Sequence, residues 1–190
     1  MIKIMKISLV AFSLLLSACS MQAPPYEVSI ENVQNIKNAK VKQVKIGTIT
    51  STKQLDIISL RGSSMYSPVN KSYGSYLQKA LEDELKLAKL LSAVSSTVIT
   101  GKMLTNDIDI SSFSEGTGEA SAKFVVTRDN KVIFDKTISA KHTFESSFIG
   151  AIAIPNAQAS YVNLVQKLIE NLFDDKLTTL HIKLCVFFRT

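Results

Sequence analysis

Two stretches of the chain carry apolar residues at helical spacing, and they are the clearest elements in the pattern. In each, apolar residues recur every three or four positions, which places them along one face of a helix. The first stretch is Ser72–Leu91, with Ser72 as a suitable N-cap. The second is Pro155–Phe173, with Pro155 fitting the first turn. The apolar stripes consist of Tyr73, Leu77, Ala80, Leu81, Leu85, Ala88 and Leu91 in the first helix and of Ala157, Tyr161, Leu164, Val165, Leu168, Ile169 and Leu172 in the second.

Alternating apolar and polar residues predict strands in much of the remaining chain. The best candidate is a hairpin over Ala120–Thr127 and Val132–Thr143, because Asp129-Asn130 suits the positive φ angles of a tight turn. The other strand candidates are Thr97–Leu104, continued past a bulge by Asp107–Ile110, and the shorter Tyr26–Glu31 and Val41–Thr50. Turn-forming residues, Arg61-Gly62-Ser63-Ser64 and Ser67-Pro68, interrupt the stretch between the second short strand and the first helix.

The order of these elements predicts an α+β fold. Strands grouped around two amphipathic helices favour a mostly antiparallel sheet with both helices packed on one face. Leu180–Phe188 is then either a last strand or an apolar tail. A single domain over residues 26–179 agrees with the usual size of domains.

The N-terminus has the pattern of a secretory signal peptide over residues 1–18. Lys3 and Lys6 precede a short apolar run, Ile7–Leu16, and small residues follow it. The run is too short to span a bilayer as a helix, which takes about 20 residues. The sequence Leu16-Ser17-Ala18-Cys19 resembles the lipobox of bacterial lipoproteins. This resemblance implies cleavage before Cys19 and acylation of its thiol.

Residues 19–25 are then expected to be the lipidated Cys19 and a short tether that holds the domain close to the membrane. In Gram-negative lipoproteins, which the N-terminus resembles, an Asp after the acylated Cys signals retention in the inner membrane. Ser20 stands at that position. The resemblance therefore implies anchoring in the outer membrane, with the domain facing the periplasm and surface exposure left open.

Charge and cysteine content narrow the possible partners. The net charge of +6 falls to +4 when the signal peptide is removed, because Lys3 and Lys6 are lost. The remaining charges are scattered, which favours an ordinary solvated surface and speaks against nucleic-acid binding. The two cysteines are Cys19 and Cys185, and the two histidines, His142 and His181, are far apart in sequence. This spacing predicts neither a metal site nor a cofactor site.

The mature sequence resembles a group of small envelope lipoproteins of Gram-negative bacteria. The group includes the auxiliary lipoproteins of ABC-type lipid transport systems, the YajG-like lipoproteins and the periplasmic domain of curli-secretion lipoproteins. The residues that carry the resemblance are the lipobox at Cys19, Ser75–Leu91 (SYLQKALEDELKLAKLL), Val98–Gly101 (VITG), Ala122–Lys136 (AKFVVTRDNKVIFDK) and Tyr161–Phe173. The resemblance implies the α+β fold and an envelope location, without a particular activity.

No catalytic constellation is predicted. The serines at 63, 64 and 67 lack the G-x-S-x-G context of a nucleophile elbow. Asp107 and Asp109 share one strand face and could act as paired carboxylates, although solvation or a weak cation site is the more ordinary fate of such residues. The chain is therefore expected not to be an enzyme.

Two segments are candidate binding sites. In the first, Arg61 could grip a carboxylate or phosphate, with Ser63 and Ser64 as small neighbours, or the segment is an ordinary linker. The second is the uncharged apolar run Phe148–Ile154, in which Phe148, Ile149 and Ile152 are the candidate contact residues. This run is a contact surface if it is exposed and part of the core if it is buried.

The expected function is that of a non-enzymatic binding or accessory component in envelope transport or maintenance. The anchor at Cys19 supplies the membrane as one partner, and an envelope protein or lipid is the other. A structural subunit of a secretion or surface-organelle complex is the alternative, followed by an envelope hydrolase.

Overall fold

The structure is a computed structural model that describes residues 20–38 and 42–187, with side chains as far as residue 175. The predicted signal peptide and Cys19 lie outside the described residues. The elements of the described part are β1 (Ser20–Gln22), α1 (Ile30–Asn38), β2 (Lys45–Thr50), β3 (Ile58–Leu60), β4 (Ser63–Tyr66), α2 (Tyr73–Leu87), β5 (Thr97–Asp109), β6 (Glu115–Arg128), β7 (Lys131–Glu145) and α3 (Gly150–Phe187).

The strands form two sheets, and the predicted α+β fold is confirmed. The larger sheet has the order β2-β5-β6-β7, with the hairpin turn at Asp129-Asn130 between its two longest strands. The smaller sheet has the order β1-β4-β3. Each sheet contains one parallel pair, β2 with β5 and β1 with β4, and the other pairs are antiparallel. The parallel pairs are the part of the topology that the sequence did not predict.

The core lies between the larger sheet and the helices. Helix α2 packs on β2, α3 packs on β6 and β7, and α1 contacts both of these helices. Leu81, Leu85, Leu164 and Leu168, which the helical pattern places in the core, are all buried. The opposite face of the sheet is open and polar, and its ion pairs include Lys141–Glu119 at 2.9 Å and Lys123–Asp135 at 3.0 Å.

A bulge in β5 keeps apolar residues on the buried face along the whole strand. Before it, Ile99 and Met103 face the core, and after it Ile108 and Ile110 do. The register shifts between Met103 and Thr105, which moves the buried positions from odd to even numbers. Because side chains alternate along a strand, one extra residue is what this change requires. The predicted continuation of the strand past a bulge is confirmed.

Helix α2 begins as predicted. The side chain of Ser72 accepts a hydrogen bond from the backbone N–H of Ser75, so it is the N-cap. Gly74 is required near this end, because a Cβ there would lie 2.6 Å from the backbone carbon of Thr50. The helix ends at Leu87, earlier than predicted, and Lys89 has a positive φ of 62°.

Three predicted elements differ from the structure. Tyr26–Glu31 is not a strand: Ser29 caps α1, since its hydroxyl accepts from the Asn32 N–H at 3.2 Å. The turn-rich stretch before α2 contains the short strands β3 and β4. Helix α3 begins at Gly150, so Pro155 lies inside it, and it continues to Phe187 where a strand or a tail was predicted.

Two further findings concern membrane spans and the segment predicted to be the tether. None of the helices in the described part has the length and apolar character needed to cross a membrane. Ser20–Gln22, predicted as tether, is the strand β1, and the following Ala23 is buried and donates its N–H to the carbonyl of Tyr66 at 2.8 Å.

We predict that Leu168→Ala lowers the free energy of unfolding by about 2–5 kcal/mol, because it leaves a cavity between α3 and the sheet. Leu104→Ala is the matched control: Leu104 is 45 % exposed on the open face, so its loss should cost less than about 0.5 kcal/mol. Chemical denaturation of both variants measures the difference. Equal losses would mean that the helix does not bury this face.

Candidate functional site

The turn between β3 and β4 is the starting point of the candidate site. Arg61 and Gly62 both have positive φ angles, 47° and 85°, as a two-residue type I′ hairpin turn requires. The predicted turn at Arg61-Gly62 is therefore present. Ser63 and Ser64 belong to β4 instead, where Ser64 pairs with Ser20 of β1 and Ser59 of β3.

The Arg61 side chain links this turn to two loops of the larger sheet. Its Nε and Nη2 donate to the carbonyl of Ile110 at 3.2 and 2.7 Å. Its Nη2 also donates to the carbonyl of Ser147 at 2.9 Å, and its Nη1 donates to that of Phe148 at 2.7 Å. Four of the five guanidinium N–H groups are thus used within the chain, which leaves one for an external carboxylate or phosphate.

Two exposed aromatic rings meet where Arg61 holds the loops. Phe113, in the loop between β5 and β6, lies 5.6 Å from Phe148 between ring centroids. Both residues are 73 % exposed, and Ile149 and Ile152 beside Phe148 are 57 % and 48 % exposed. We call these four residues the apolar tip. Residues 111–114 and 146–154 contain no charged residue, so the segments that carry the tip are uncharged.

The structure therefore brings the two predicted binding segments together. Arg61 contacts the backbone at Phe148, and Phe148, Ile149 and Ile152 lie on the surface, as they must for a contact role. The run is not a loop as far as Pro155, because Gly150–Ile154 already form the start of α3. Phe113 was missed by the sequence analysis. The available signal was a single aromatic residue in a loop of serines and glycines.

The N-terminal segment is fixed at the same end of the molecule. Strand β1 runs parallel to β4, with Ser20 beside Ser64 and Gln22 beside Tyr66. The start of β1 therefore lies at the end of β4 that follows the Arg61-Gly62 turn. The segment is held on its other side as well, since Gln158 of α3 donates to the carbonyl of Gln22 and Tyr76 donates to that of Pro24 at 3.0 Å.

The buried carboxylate of Glu84 connects the segment from Tyr26 to Asn32 to α2. Glu84 is fully buried and accepts hydrogen bonds from the Tyr26 hydroxyl, from Asn32 Nδ2 at 3.1 Å and from the Ser29 N–H at 3.4 Å. Its Oε2 atom has no hydrogen-bond partner among the described residues. Burial raises the pKa of Glu84, and the three hydrogen bonds offset this only in part. No sequence pattern pointed to this residue.

The other polar candidates stay apart from the tip. Asp107 and Asp109 lie on the open sheet face, and the backbone N–H and hydroxyl of Ser111 lower the pKa of Asp109. Partial burial lowers the pKa of His142 on β7. Within the described residues, no group of three or more His, Cys, Asp or Glu side chains is placed to hold a metal ion. His181 and Cys185 lie beyond the described side chains.

Comparison with known proteins gives the fold a precedent. No protein-family model matches the sequence, and no curated protein matches it either. Among solved structures, the chain is similar to protein XCC0632 from Xanthomonas campestris, described with the family model DUF330, at 11 % identity and a TM-score of 0.62. That match covers 87 % of this chain and 98 % of the other. The two proteins share a fold.

Two weaker similarities involve lipoproteins. A lipoprotein candidate from Caulobacter crescentus is 12 % identical with a TM-score of 0.47, covering 80 % of this chain and 97 % of that one. The rare lipoprotein B from Shewanella oneidensis is 10 % identical with a TM-score of 0.41, covering 75 % and 98 %.

We predict that the free energy of unfolding falls as pH rises above about 4.3, the usual pKa of an unfolded Glu, toward the higher pKa of folded Glu84. In that window the folded state binds the extra proton, so rising pH favours unfolding. Glu84→Gln should flatten this part of the pH profile, because a neutral amide has no proton to lose. Glu82→Gln, on the same helix, is the control. Equal profiles for both variants would contradict the assignment.

Proposed function

We propose that this protein is an envelope lipoprotein, anchored in the outer membrane through Cys19, that serves as a non-enzymatic binding or accessory component of envelope transport or maintenance. One observation carries the proposal. An exposed, uncharged apolar tip is held in place by Arg61 at the end of the fold where β1 begins.

The construction of the tip supports a binding role. Exposed apolar groups gain about 25 cal/mol for each Å² removed from water, so a fixed aromatic cluster gives a strong reason for association. Because Arg61 already orders both loops, binding does not have to pay the conformational entropy of ordering them. The rings offer area and shape, and they bring no group that could transfer a proton or attack a bond.

The N-terminal sequence supports the location. The lipobox-like Leu16-Ser17-Ala18-Cys19 and the short apolar run before it are the pattern of an exported and acylated chain. Ser20 in place of Asp supports sorting to the outer membrane.

A photo-crosslinking amino acid at Phe113 tests the proposal in membranes. We expect the otherwise unchanged chain to take up labelled palmitate and to form adducts with an envelope protein or lipid through position 113. Phe148→Ser with Ile152→Ser should keep the label and the unfolding temperature but lose most adducts, because half of the tip is removed. Val94→Ser with Val132→Ser is the control, since both residues are exposed and apolar at the other end of the sheet.

Each part of the proposal has its own failing outcome. Cys19→Ser should lose the palmitate label and leave the membrane fraction. If it keeps the label, the anchor is assigned wrongly. If the double variant at the tip unfolds or fails to express, Phe148 and Ile152 support the core. An absence of adducts at position 113 would contradict a contact surface.

A further inference from the structure

We propose that the apolar tip inserts into the same bilayer that holds the acyl chains of Cys19, so that the domain is attached to the membrane at two points. This inference rests on the proposed anchor and names the partner of the tip. A single acylated residue fixes where a domain is, whereas two separated contacts also fix which way it faces.

The first argument is the direction of the chain. Strand β1 enters the fold beside β4, about 4.8 Å away, at the end where the Arg61-Gly62 turn lies. Only one peptide unit, about 3.8 Å between Cα atoms, separates Ser20 from the acylated Cys19. Arg61 of this turn contacts the tip directly, because its side chain donates a hydrogen bond to the carbonyl of Phe148. The start of β1, one residue from the proposed anchor, and the tip are therefore at one end of the molecule.

The second argument is that no flexible linker separates Ser20 from the folded domain. Ser20–Gln22 are paired in the smaller sheet, and Ala23 is buried and hydrogen bonded to Tyr66. A free tether would let the domain tumble at a distance from the surface, as a flexible linker does. Here the paired strand β1 begins at Ser20, the residue that follows the proposed acylation site in the sequence. The end that carries the tip must then lie against the lipid head groups.

The third argument concerns what the tip can bind. Four side chains are far fewer than the roughly 20–30 residues that each partner contributes to a specific protein interface. They are enough for a bilayer, where apolar side chains bury about 5–10 Å deep at the boundary between head groups and acyl chains. Glu115 and Glu145 pair across β6 and β7 next to the tip loops. These carboxylates favour zwitterionic over anionic lipid.

The absence of tryptophan from the chain allows a direct test. Phe113→Trp and Phe148→Trp each place a single reporter in the tip. Val94→Trp is the matched control: Val94 is 93 % exposed and lies beyond the other end of β5, a strand of 13 residues and so about 40 Å long. The full acylated protein is reconstituted into phosphatidylethanolamine and phosphatidylcholine vesicles with brominated acyl chains, which quench nearby tryptophan.

We expect a blue-shifted emission and loss of most of the intensity for both tip reporters, with Val94→Trp unchanged. The vesicles contain no second protein, so quenching can come only from lipid. Thermal unfolding of each variant verifies that the fold is intact. Flotation of the vesicles verifies that the protein is anchored.

The outcomes separate this inference from the proposed function. If the protein floats with the vesicles but its tip reporters are left unquenched, the tip does not enter the bilayer and the anchor still stands. If the protein does not float, the anchor fails and this inference fails with it. Strong quenching at Val94 as well as at the tip would contradict the fixed orientation.

Discussion

The guanidinium group of Arg61 connects the smaller sheet to the two loops at one end of the larger sheet. Its four hydrogen bonds tie the turn of the smaller sheet to the carbonyls of Ile110, Ser147 and Phe148, at the end of the larger sheet. Arg61 is exposed to solvent, so each bond contributes no more than the roughly 0.5–1.5 kcal/mol of an ordinary hydrogen bond, and the four together hold two exposed loops. The rings of Phe113 and Phe148 face solvent, and packing alone would not keep them together.

The position of β1 connects this arrangement to the proposed function. Because β1 is part of the smaller sheet, the chain reaches the fold beside the Arg61-Gly62 turn. Glu84 and its partners Tyr26 and Asn32 then fix the following segment against α2. A lipid on Cys19 would therefore act on a rigid body. In the proposed function, a lipid anchor on Cys19 and the apolar tip act at the same end of the molecule.

Patterns within short stretches of sequence predicted the elements that are stabilised by residues close together in the chain. Helix α2 with its Ser72 cap and the hairpin at Asp129-Asn130 follow from periodicity and turn chemistry. The start of α3 was placed too late because Pro155 was taken to mark the first turn. Strands β3 and β4 are too short to show alternation. The candidate site was predicted in part: Arg61 and Phe148 were each identified, but their contact spans 87 positions, and no local pattern records such a pair.

Hydrogen exchange in an Arg61→Ala variant tests the central claim most directly. The amides of Ser146 and Ile149, bonded to the Ser114 carbonyl and the Ser147 hydroxyl, report on the tip loops. The account predicts faster exchange there, with unchanged exchange inside α2. Arg128→Ala is the control, since Arg128 bonds Thr97 at the other end of the sheet and should leave the tip protected. Unchanged protection at the tip in Arg61→Ala would contradict the account.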